Sequence, residues 1–311
     1  MDSPAPRPPR RPPRLDWARA QTLIGGGVAA GAAAGLLRGG LWATLSAPFG
    51  AAGILLAIDG WVYRKRGEAF LISHPGRFAL TAFWSVAFWG FFEVLNFRLN
   101  NWQCPSDPAN PILRWTLTLI TFATVVPLVL ELADLLDTAG FLKSVSVSPF
   151  HRSGRLLFPA LGVVCLALPL VWPDPFFPLV WGAPFFLLEP VAEALGAPSL
   201  LSDWKSGGAR RAALLGAAGV IAGLLWQCWN VGAGARWVFT IPHLDHWKIL
   251  NMPALAYLAF VPFAFSAHAV GAVASRLWDR SGLFARLLWG TAWIVWTGIV
   301  LLGMDRFTRI P

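Results

Sequence analysis

The chain has 311 residues, of which 56% are hydrophobic and only 13% are charged. Soluble domains carry about 25% charged residues, so this composition excludes a soluble globular protein and a disordered chain, and it indicates an integral membrane protein. The formal net charge of +9 arises from Lys and Arg residues between apolar blocks, where they set topology, so no nucleic-acid partner is expected.

Apolar blocks long enough to cross a bilayer begin after a basic Pro/Arg arm at residues 1–16, which cannot bury a core and is expected to be disordered. The first span, within 17–40, is rich in Gly and Ala and should pack closely against a neighbouring helix. The sixth contains Pro178, Pro184 and Pro190, so we expect it inside the bundle, where neighbours can satisfy the freed carbonyls. The nine blocks lie at about 20–37, 41–62, 78–97, 114–136, 156–172, 175–195, 212–231, 254–275 and 284–303.

The distribution of positive charge predicts how the chain crosses the membrane. Of the 25 Lys and Arg residues, 18 fall in segments on the same side as the N-terminus. The positive-inside rule therefore predicts a cytoplasmic N-terminus, and an odd number of spans places the C-terminus outside. The predicted fold class is an all-α integral membrane protein with about nine transmembrane helices, and membrane lipids are its expected partners.

An internal duplication is predicted from polar residues that recur in the same order in two apolar stretches. Each copy holds three helices, and because a single span lies between the copies, both enter the membrane from the same side as parallel repeats. The matched pairs are Asp59 with Glu189, Glu93 with Gln227, Asn96 with Asn230, Trp102 with Trp237, and Pro127 with Pro262. The predicted divisions are 1–16 (arm), 17–40 (first span), 48–136 (repeat 1), 137–172 (linker and linking span), 175–275 (repeat 2) and 284–303 (last span).

Glu93 is the first candidate for a catalytic acid. With Asn96 and Asn100 it follows i, i+3, i+7 spacing, so the three side chains share one helix face near the outer end. An ionisable group inside a span costs several kcal/mol unless it is paired or hydrated, which makes Glu93 a functional candidate by default. The alternative is an interfacial helix end with a snorkelling Arg98.

The same argument predicts a polar ligand site around Glu93 at the outer surface. We expect Glu93 to face the interior between the repeats and to hydrogen-bond Asn96, Asn100, Asn230 or Arg236. The predicted ligand-binding residues are Asn96, Asn100, Trp102, Gln227, Asn230, Arg236 and Trp237.

Glu131 and Glu189 are further candidates for catalytic acids because they lie deeper in their spans than the other carboxyls. Neither can stay ionised facing lipid, so both are candidate proton donors. The acids Asp59, Asp134 and Asp137 lie near the inner surface and are interpreted as helix-end charges.

A metal site is a weak alternative in the outer loop, where His243 and His246 stand three residues apart. A metal needs a third or fourth ligand, and the nearest other histidine in the sequence is the distant His268. The competing interpretation is a hydrogen-bonded interfacial loop anchored by Trp237 and Trp247. The sequence shows no phosphate-binding glycine loop, nucleophile elbow or haem-ligand pair, and no cofactor is predicted.

Aromatic residues are abundant, with 18 Trp and 22 Phe but only two Tyr. Those within spans either pack the core or line a cavity for a long apolar or polyene ligand, where aromatic faces stabilise a developing carbocation. The tryptophans concerned are Trp84, Trp89, Trp181, Trp226 and Trp293.

At the duplicated block the chain resembles a family of bacterial integral membrane proteins whose halves carry FEYLN…NW and WExWN…KW motifs. Here these read FFEVLNFRLNNW and LLWQCWNVGAGARW. The order of helices and polar residues over roughly 48–275 also looks like the duplicated three-helix domains of lycopene (carotenoid) cyclases. Those enzymes carry a Pro-Glu-Glu signature, whereas this chain has Pro127 followed by Glu131 and, in the second copy, Pro253 with no adjacent acid.

These resemblances imply a bacterial inner (cytoplasmic) membrane location and cofactor-independent acid/base chemistry. The leading hypothesis is a membrane-embedded enzyme that acts on an isoprenoid or another apolar lipid, with Glu93 or Glu131 as proton donor. The alternative is a non-enzymatic protein that binds lipid or pigment or supports a larger complex. A transporter is third, because the repeats are parallel and polar groups within the spans are few.

Overall fold

The computed structural model describes residues 15–149, 156–241 and 247–309, and these residues form a helical bundle with four two-residue strands at one end. The α-helices are α1 Leu15–Arg38, α2 Gly40–Arg66, α3 Phe70–Ser73, α4 Pro75–Leu99, α5 Pro111–Thr138, α6 Leu157–Val171, α7 Pro173–Phe176, α8 Ala183–Ala194, α9 Leu200–Lys205, α10 Arg210–Gly232, α11 Phe260–Arg280 and α12 Leu283–Gly303. The strands are β1 Trp102–Gln103, β2 Val238–Phe239, β3 Lys248–Ile249 and β4 Met252–Pro253.

Eight segments of the described chain are long and apolar enough to cross a membrane, which confirms the prediction of an all-α multi-span protein. The ninth predicted block corresponds to α12, but the fifth forms only the 15-residue helix α6. A helix needs about 20 residues to cross the hydrocarbon core, so α6 falls short of a full span by length.

The proline-rich sixth block is a composite helix, Pro173–Ala194, in which a 3-10 turn, Phe177–Gly182, separates α7 from α8. At the end of this turn the hydroxyl of Ser266 donates to the Trp181 carbonyl at 2.9 Å and accepts the Phe185 N–H at 3.0 Å. A neighbouring helix thus supplies the hydrogen bonds that the irregular backbone lacks, as expected for a broken helix inside a bundle.

A second serine hydroxyl, from the neighbouring helix, inserts into the backbone hydrogen bonding of α5 next to Pro127. The hydroxyl of Ser85 on α4 donates to the Phe122 carbonyl and accepts the Val126 N–H, which are the two ends of one i to i−4 helical hydrogen bond. Both α5 and the composite helix are therefore bound to a neighbouring helix through a serine hydroxyl, near Pro127 in α5 and at the 3-10 turn in the composite helix.

The two ends of the bundle differ in charge and structure. At one end, here called the basic end, Asp137 on α5 forms ion pairs with Arg66 and Arg210. At the other, called the strand end, β1 pairs antiparallel with β2 and β3 pairs with β4. All four strands are two residues long, so they tie loops together without forming a sheet layer.

The two copies make equivalent packing contacts. Helix α2 packs on α5 as α8 packs on α11, and α4 packs on α5 as α10 packs on α11. Contacts between the copies are equivalent as well, since α5 packs on α10 and α4 packs on α11. Helix α6 packs on α8 as α1 packs on α2, so the linking helix is the counterpart of the first helix and the repeating unit extends beyond the three predicted helices.

An acid fixes the loop after the first helix of each predicted copy. Asp59 accepts the backbone N–H of Leu71 at 2.6 Å, at the start of α3, and Glu189 accepts that of Leu201 at 2.8 Å, at the start of α9. Acceptor and donor are twelve residues apart in both cases. The acid pair therefore caps a short helix in each copy, which explains why both residues are buried.

Candidate functional site: an aromatic cavity between the copies

A cavity of about 410 Å³ lies between the two copies near the strand end. Equivalent positions of the copies face it, since Pro48 and Pro178 both line it, as do Glu93 and Gln227. The aromatic lining residues are Trp89, Trp102, Phe122, Phe177, Trp181, Trp226, Trp237, Phe239 and Phe260.

Glu93 lies on α4, is only 3% exposed, and borders this cavity. Its carboxyl group accepts the indole N–H of Trp89 at 2.9 Å and that of Trp102, whose nitrogen lies 3.2 Å from both oxygens. The predicted inward orientation of Glu93 agrees with this geometry. The predicted hydrogen-bond partners were wrong, because two indoles rather than asparagines or Arg236 bind the carboxyl group.

The aromatic wall behind Glu93 is built from stacked rings. Trp181 stacks on Phe92 with centroids 4.8 Å apart and on Trp102 with centroids 5.9 Å apart. Trp89 packs edge-on against Trp226, with centroids 6.4 Å apart. Rings of both copies thus form one continuous apolar surface, and stacking of this kind fixes their orientation.

Asn96 and Asn230 hold the loops that close the cavity. The Asn96 side chain donates to the Trp102 carbonyl at 2.8 Å and accepts the Trp102 N–H at 3.2 Å, and Asn230 makes the same two bonds to Trp237 at 2.9 Å. In each copy an asparagine side-chain amide therefore pairs with both the N–H and the carbonyl group of one tryptophan, as a neighbouring strand would. These bonds fold the loop that carries the tryptophan back toward the end of the helix that carries the asparagine.

The clamped loops of the two copies then pair with each other. Trp102 lies opposite Phe239 in the β1–β2 ladder, and the Thr240 N–H donates to the Asn101 carbonyl at 2.8 Å. The cavity is consequently roofed by one strand from each copy, and it depends on both copies for its shape.

A bidentate ion pair closes one side of the roof. Arg114 at the start of α5 is 6% exposed, and its guanidinium binds both carboxylate oxygens of Asp305 at 2.8 and 2.7 Å. It also donates to the carbonyl of Pro108 at 2.7 Å. This arrangement joins the segment after α12 to the loop before α5. The guanidinium binds the carboxylate with two parallel hydrogen bonds, which is the strong bidentate geometry of arginine.

Asp107 lies in the same loop and borders the cavity. Burial raises the pKa of its carboxyl group to about 6, although the positive charges of Arg114 and Arg309 act in the opposite direction. Asp107 is therefore a titratable group at the cavity, outside the helices, whose charge changes just below neutral pH.

Of the predicted ligand-binding residues, Trp102, Gln227, Arg236 and Trp237 line the cavity, as does the candidate acid Glu93. Asn96, Asn100 and Asn230 are not among its lining residues. Asn96 and Asn230 are occupied by the backbone clamps, and Asn100 ends α4 in the left-handed conformation. The asparagines thus shape the site without lining it.

Glu131 and Glu189 lie outside the cavity. Glu189 accepts the Ser199 hydroxyl at 2.7 Å as well as the Leu201 N–H, so it caps α9. Glu131 is fully buried beside Asp59, toward the basic end of α5. Both carboxyls are buried, but the structure does not bring either of them to the same site as Glu93.

His243 and His246 lie outside the described residues. Within residues 15–149, 156–241 and 247–309 no group of three or more His, Cys, Asp or Glu side chains could hold a metal ion. The metal alternative has no support from the described part of the chain.

Sequence reasoning did not assign Asp107 and Arg114 to the site, and it left Trp89, Trp181 and Trp226 undecided between core and cavity. One signal was available for Trp89, because it precedes Glu93 by four residues and so shares its helix face. Asp107 and Arg114 come from an irregular loop and a helix start, whose direction only the folded structure reveals. The structure assigns Trp293 to another place, stacked on Phe83 between α4 and α12.

Comparison of the chain with models of known protein families, with curated proteins and with solved structures finds no match. The class defined by the fold and the site is a multi-span helical membrane protein with a cavity, lined in part by aromatic residues, between the two predicted copies.

Proposed function

We propose that this protein is a membrane-embedded enzyme that binds an apolar lipid or isoprenoid in the aromatic cavity and acts on it by acid/base chemistry at Glu93. The observation that carries the proposal is the position of this carboxyl group, which two indoles hold at the wall of an otherwise largely apolar cavity. A buried acid at an apolar ligand site is costly to maintain unless it serves a purpose.

The size and chemistry of the cavity support an apolar ligand. Pockets for small molecules typically enclose about 300–1,000 Å³ and combine apolar walls with a few directed polar groups. Leu255 and Leu258, each 65% exposed on the surface of the bundle, also border the cavity. A ligand dissolved in lipid would therefore meet apolar side chains where Leu255 and Leu258 reach the surface.

The indoles give Glu93 the arrangement that a proton donor needs. An indole N–H donates hydrogen bonds but accepts none, so Trp89 and Trp102 cannot take a proton from the carboxylic acid. Once the proton has passed to the ligand, the same N–H groups stabilise the carboxylate that remains. Faces of the surrounding tryptophans would stabilise positive charge that develops on an unsaturated ligand.

A second candidate is binding of a lipid or pigment without turnover. It is favoured by the hydrogen bonding of the polar pair, because Glu93 already accepts from two indoles and Gln227 accepts from Asn230 at 3.4 Å. Polar groups that are satisfied within the protein need not act on the ligand.

The test compares the wild-type protein with Glu93→Gln, which should fold because Gln227 occupies the equivalent position. Both proteins are purified in a mild detergent, and the molecules that copurify are identified by chromatography and mass spectrometry. We expect an apolar substrate to accumulate on Glu93→Gln and a converted product on the wild type, with Glu68→Gln, a change at an exposed acid, resembling the wild type. The same unconverted ligand on all three proteins would favour binding alone, and equal conversion by Glu93→Gln would exclude the acid role.

A further inference from the structure

Charged side chains border the cavity at three places besides Glu93, namely Asp107, Arg114 and Arg236. The Arg114 guanidinium is already occupied by protein groups, since it binds both carboxylate oxygens of Asp305 and the carbonyl of Pro108. A guanidinium with these partners has no free edge to offer a ligand.

Two acids at or beside the cavity, Asp107 and Asp305, lie close to cations. Asp305 pairs with Arg114, and Asp107 lies within the electrostatic influence of Arg114 and Arg309. Of the two described cations that border the cavity, Arg114 is thus paired with a carboxylate, whereas Arg236 has no carboxylate partner among the described residues.

Arg236 is held in place by its backbone while its side chain stays available. Its N–H donates to the Ser106 hydroxyl at 3.3 Å, and the next residue, Trp237, is clamped by Asn230. The Arg236 side chain is exposed and forms no hydrogen bond or ion pair with another residue in the described ranges. The fold thus fixes an arginine at the rim of the cavity with a guanidinium that no described residue binds.

We propose that the ligand is amphipathic, with an apolar chain in the aromatic cavity and an anionic carboxylate or phosphate group bound by Arg236 at the rim. This inference rests on the proposed function and specifies its substrate class. The planar guanidinium matches both anions with two parallel hydrogen bonds, which makes arginine suited to recognising them. An uncharged hydrocarbon would leave Arg236 without a role in binding.

The inference is tested with three probes of equal chain length, brominated dodecyl phosphate, brominated dodecanoate and brominated dodecanol. Bromine quenches tryptophan fluorescence on contact, and five tryptophans line the cavity. Titration into the purified full-length protein in neutral-detergent micelles gives an affinity for each probe. We expect one or both anionic probes to bind at least about tenfold more tightly than the alcohol, the usual effect of a charge-assisted hydrogen bond. The ranking of phosphate and carboxylate identifies the headgroup.

Arg236→Gln should reduce this preference to within about twofold while leaving the alcohol affinity unchanged. Arg98→Gln is the matched control, because Arg98 is exposed at the same end of the bundle but does not border the cavity. Equal binding of all three probes to the wild type, or an equal loss in Arg98→Gln, would overturn the assignment to Arg236 while leaving the apolar cavity intact. If no probe quenched the cavity tryptophans, the proposed function would fail together with this inference.

Discussion

Gly25 on α1 and Gly53 on α2 face each other so closely that a Cβ atom on either would lie 2.6 to 2.8 Å from the carbonyl oxygen of the other. The two helices therefore meet backbone to backbone, which is the arrangement that the Gly/Ala-rich first span predicts. Without water to drive helix association in lipid, such close packing is what holds α1 to the bundle.

Gly53→Val should destabilise the protein by about 1–3 kcal/mol, because the added side chain forces α1 and α2 apart. Thermal unfolding in detergent measures the change. Gly26→Val is the control, since a Cβ at Gly26 meets nothing within 4 Å. Similar unfolding temperatures for the two variants would show that the α1–α2 contact is looser than described.

The Asn96 clamp should contribute about 2–3 kcal/mol to stability, because Asn96→Ala leaves buried N–H and carbonyl groups of the loop without partners. The variant should also release the Trp102 indole from Glu93, and a red shift of tryptophan emission would report this. Asn100→Gly in the same turn should be nearly neutral, because glycine readily adopts the left-handed conformation found there. A neutral Asn96→Ala would contradict the clamp.

Asp107 should make stability depend on pH. Burial raises its pKa from 3.8 to about 6, so the folded protein binds this proton more tightly than the unfolded chain does. The resulting stabilisation is complete below about pH 4 and is lost as the pH rises through about 6. Asp107→Asn should therefore unfold at a higher temperature than the wild type at pH 7.5, because its free energy of unfolding is higher by up to about 3 kcal/mol. At about pH 4 the two proteins should unfold at the same temperature. Asp16→Asn, at an exposed acid, should show no such trend, and a pH-independent difference for Asp107→Asn would contradict the assignment.

The two termini are predicted to lie on opposite sides of the membrane, with the N-terminus in the cytoplasm. The basic end carries the clusters around Arg66 and Arg210 and would face the same side as the N-terminus. Reporter fusions at each terminus, active only on one side of the membrane, decide the matter. An odd number of crossings requires α6 to cross in addition to the eight segments of full span length. Signals from the same side at both ends would mean that this number is wrong.

Much of the fold could be predicted from sequence because lipid imposes a simple requirement, a run of about 20 apolar residues for each span. The same rule is less decisive for α6, whose predicted block forms only 15 helical residues. The equivalence of α6 with α1 was also hidden, because one helix is rich in leucine and the other in glycine and alanine. Only their packing against α8 and α2 reveals it.

The candidate site was partly predictable for a different reason. Polar residues inside spans are expensive, so Glu93, Gln227 and Asn96 were recognisable as important whatever their task. The spacing did not show what these residues do, since polar side chains on one helix face can bind a ligand or hydrogen-bond the backbone of a loop equally well. The indole of Trp102 reaches Glu93 only because the Asn96 clamp turns the chain back, and that turn belongs to the folded loop.

The presence of Glu93 and Gln227 at equivalent positions in one cavity has a consequence for how such a site can arise. Two identical chains related by a two-fold axis would place either two carboxyls or two amides around the shared space. Two carboxyls would repel each other in that apolar setting, and two amides would supply no acid. Joining both units in a single polypeptide removes this restriction, so that one half carries the acid while the other keeps its neutral isostere.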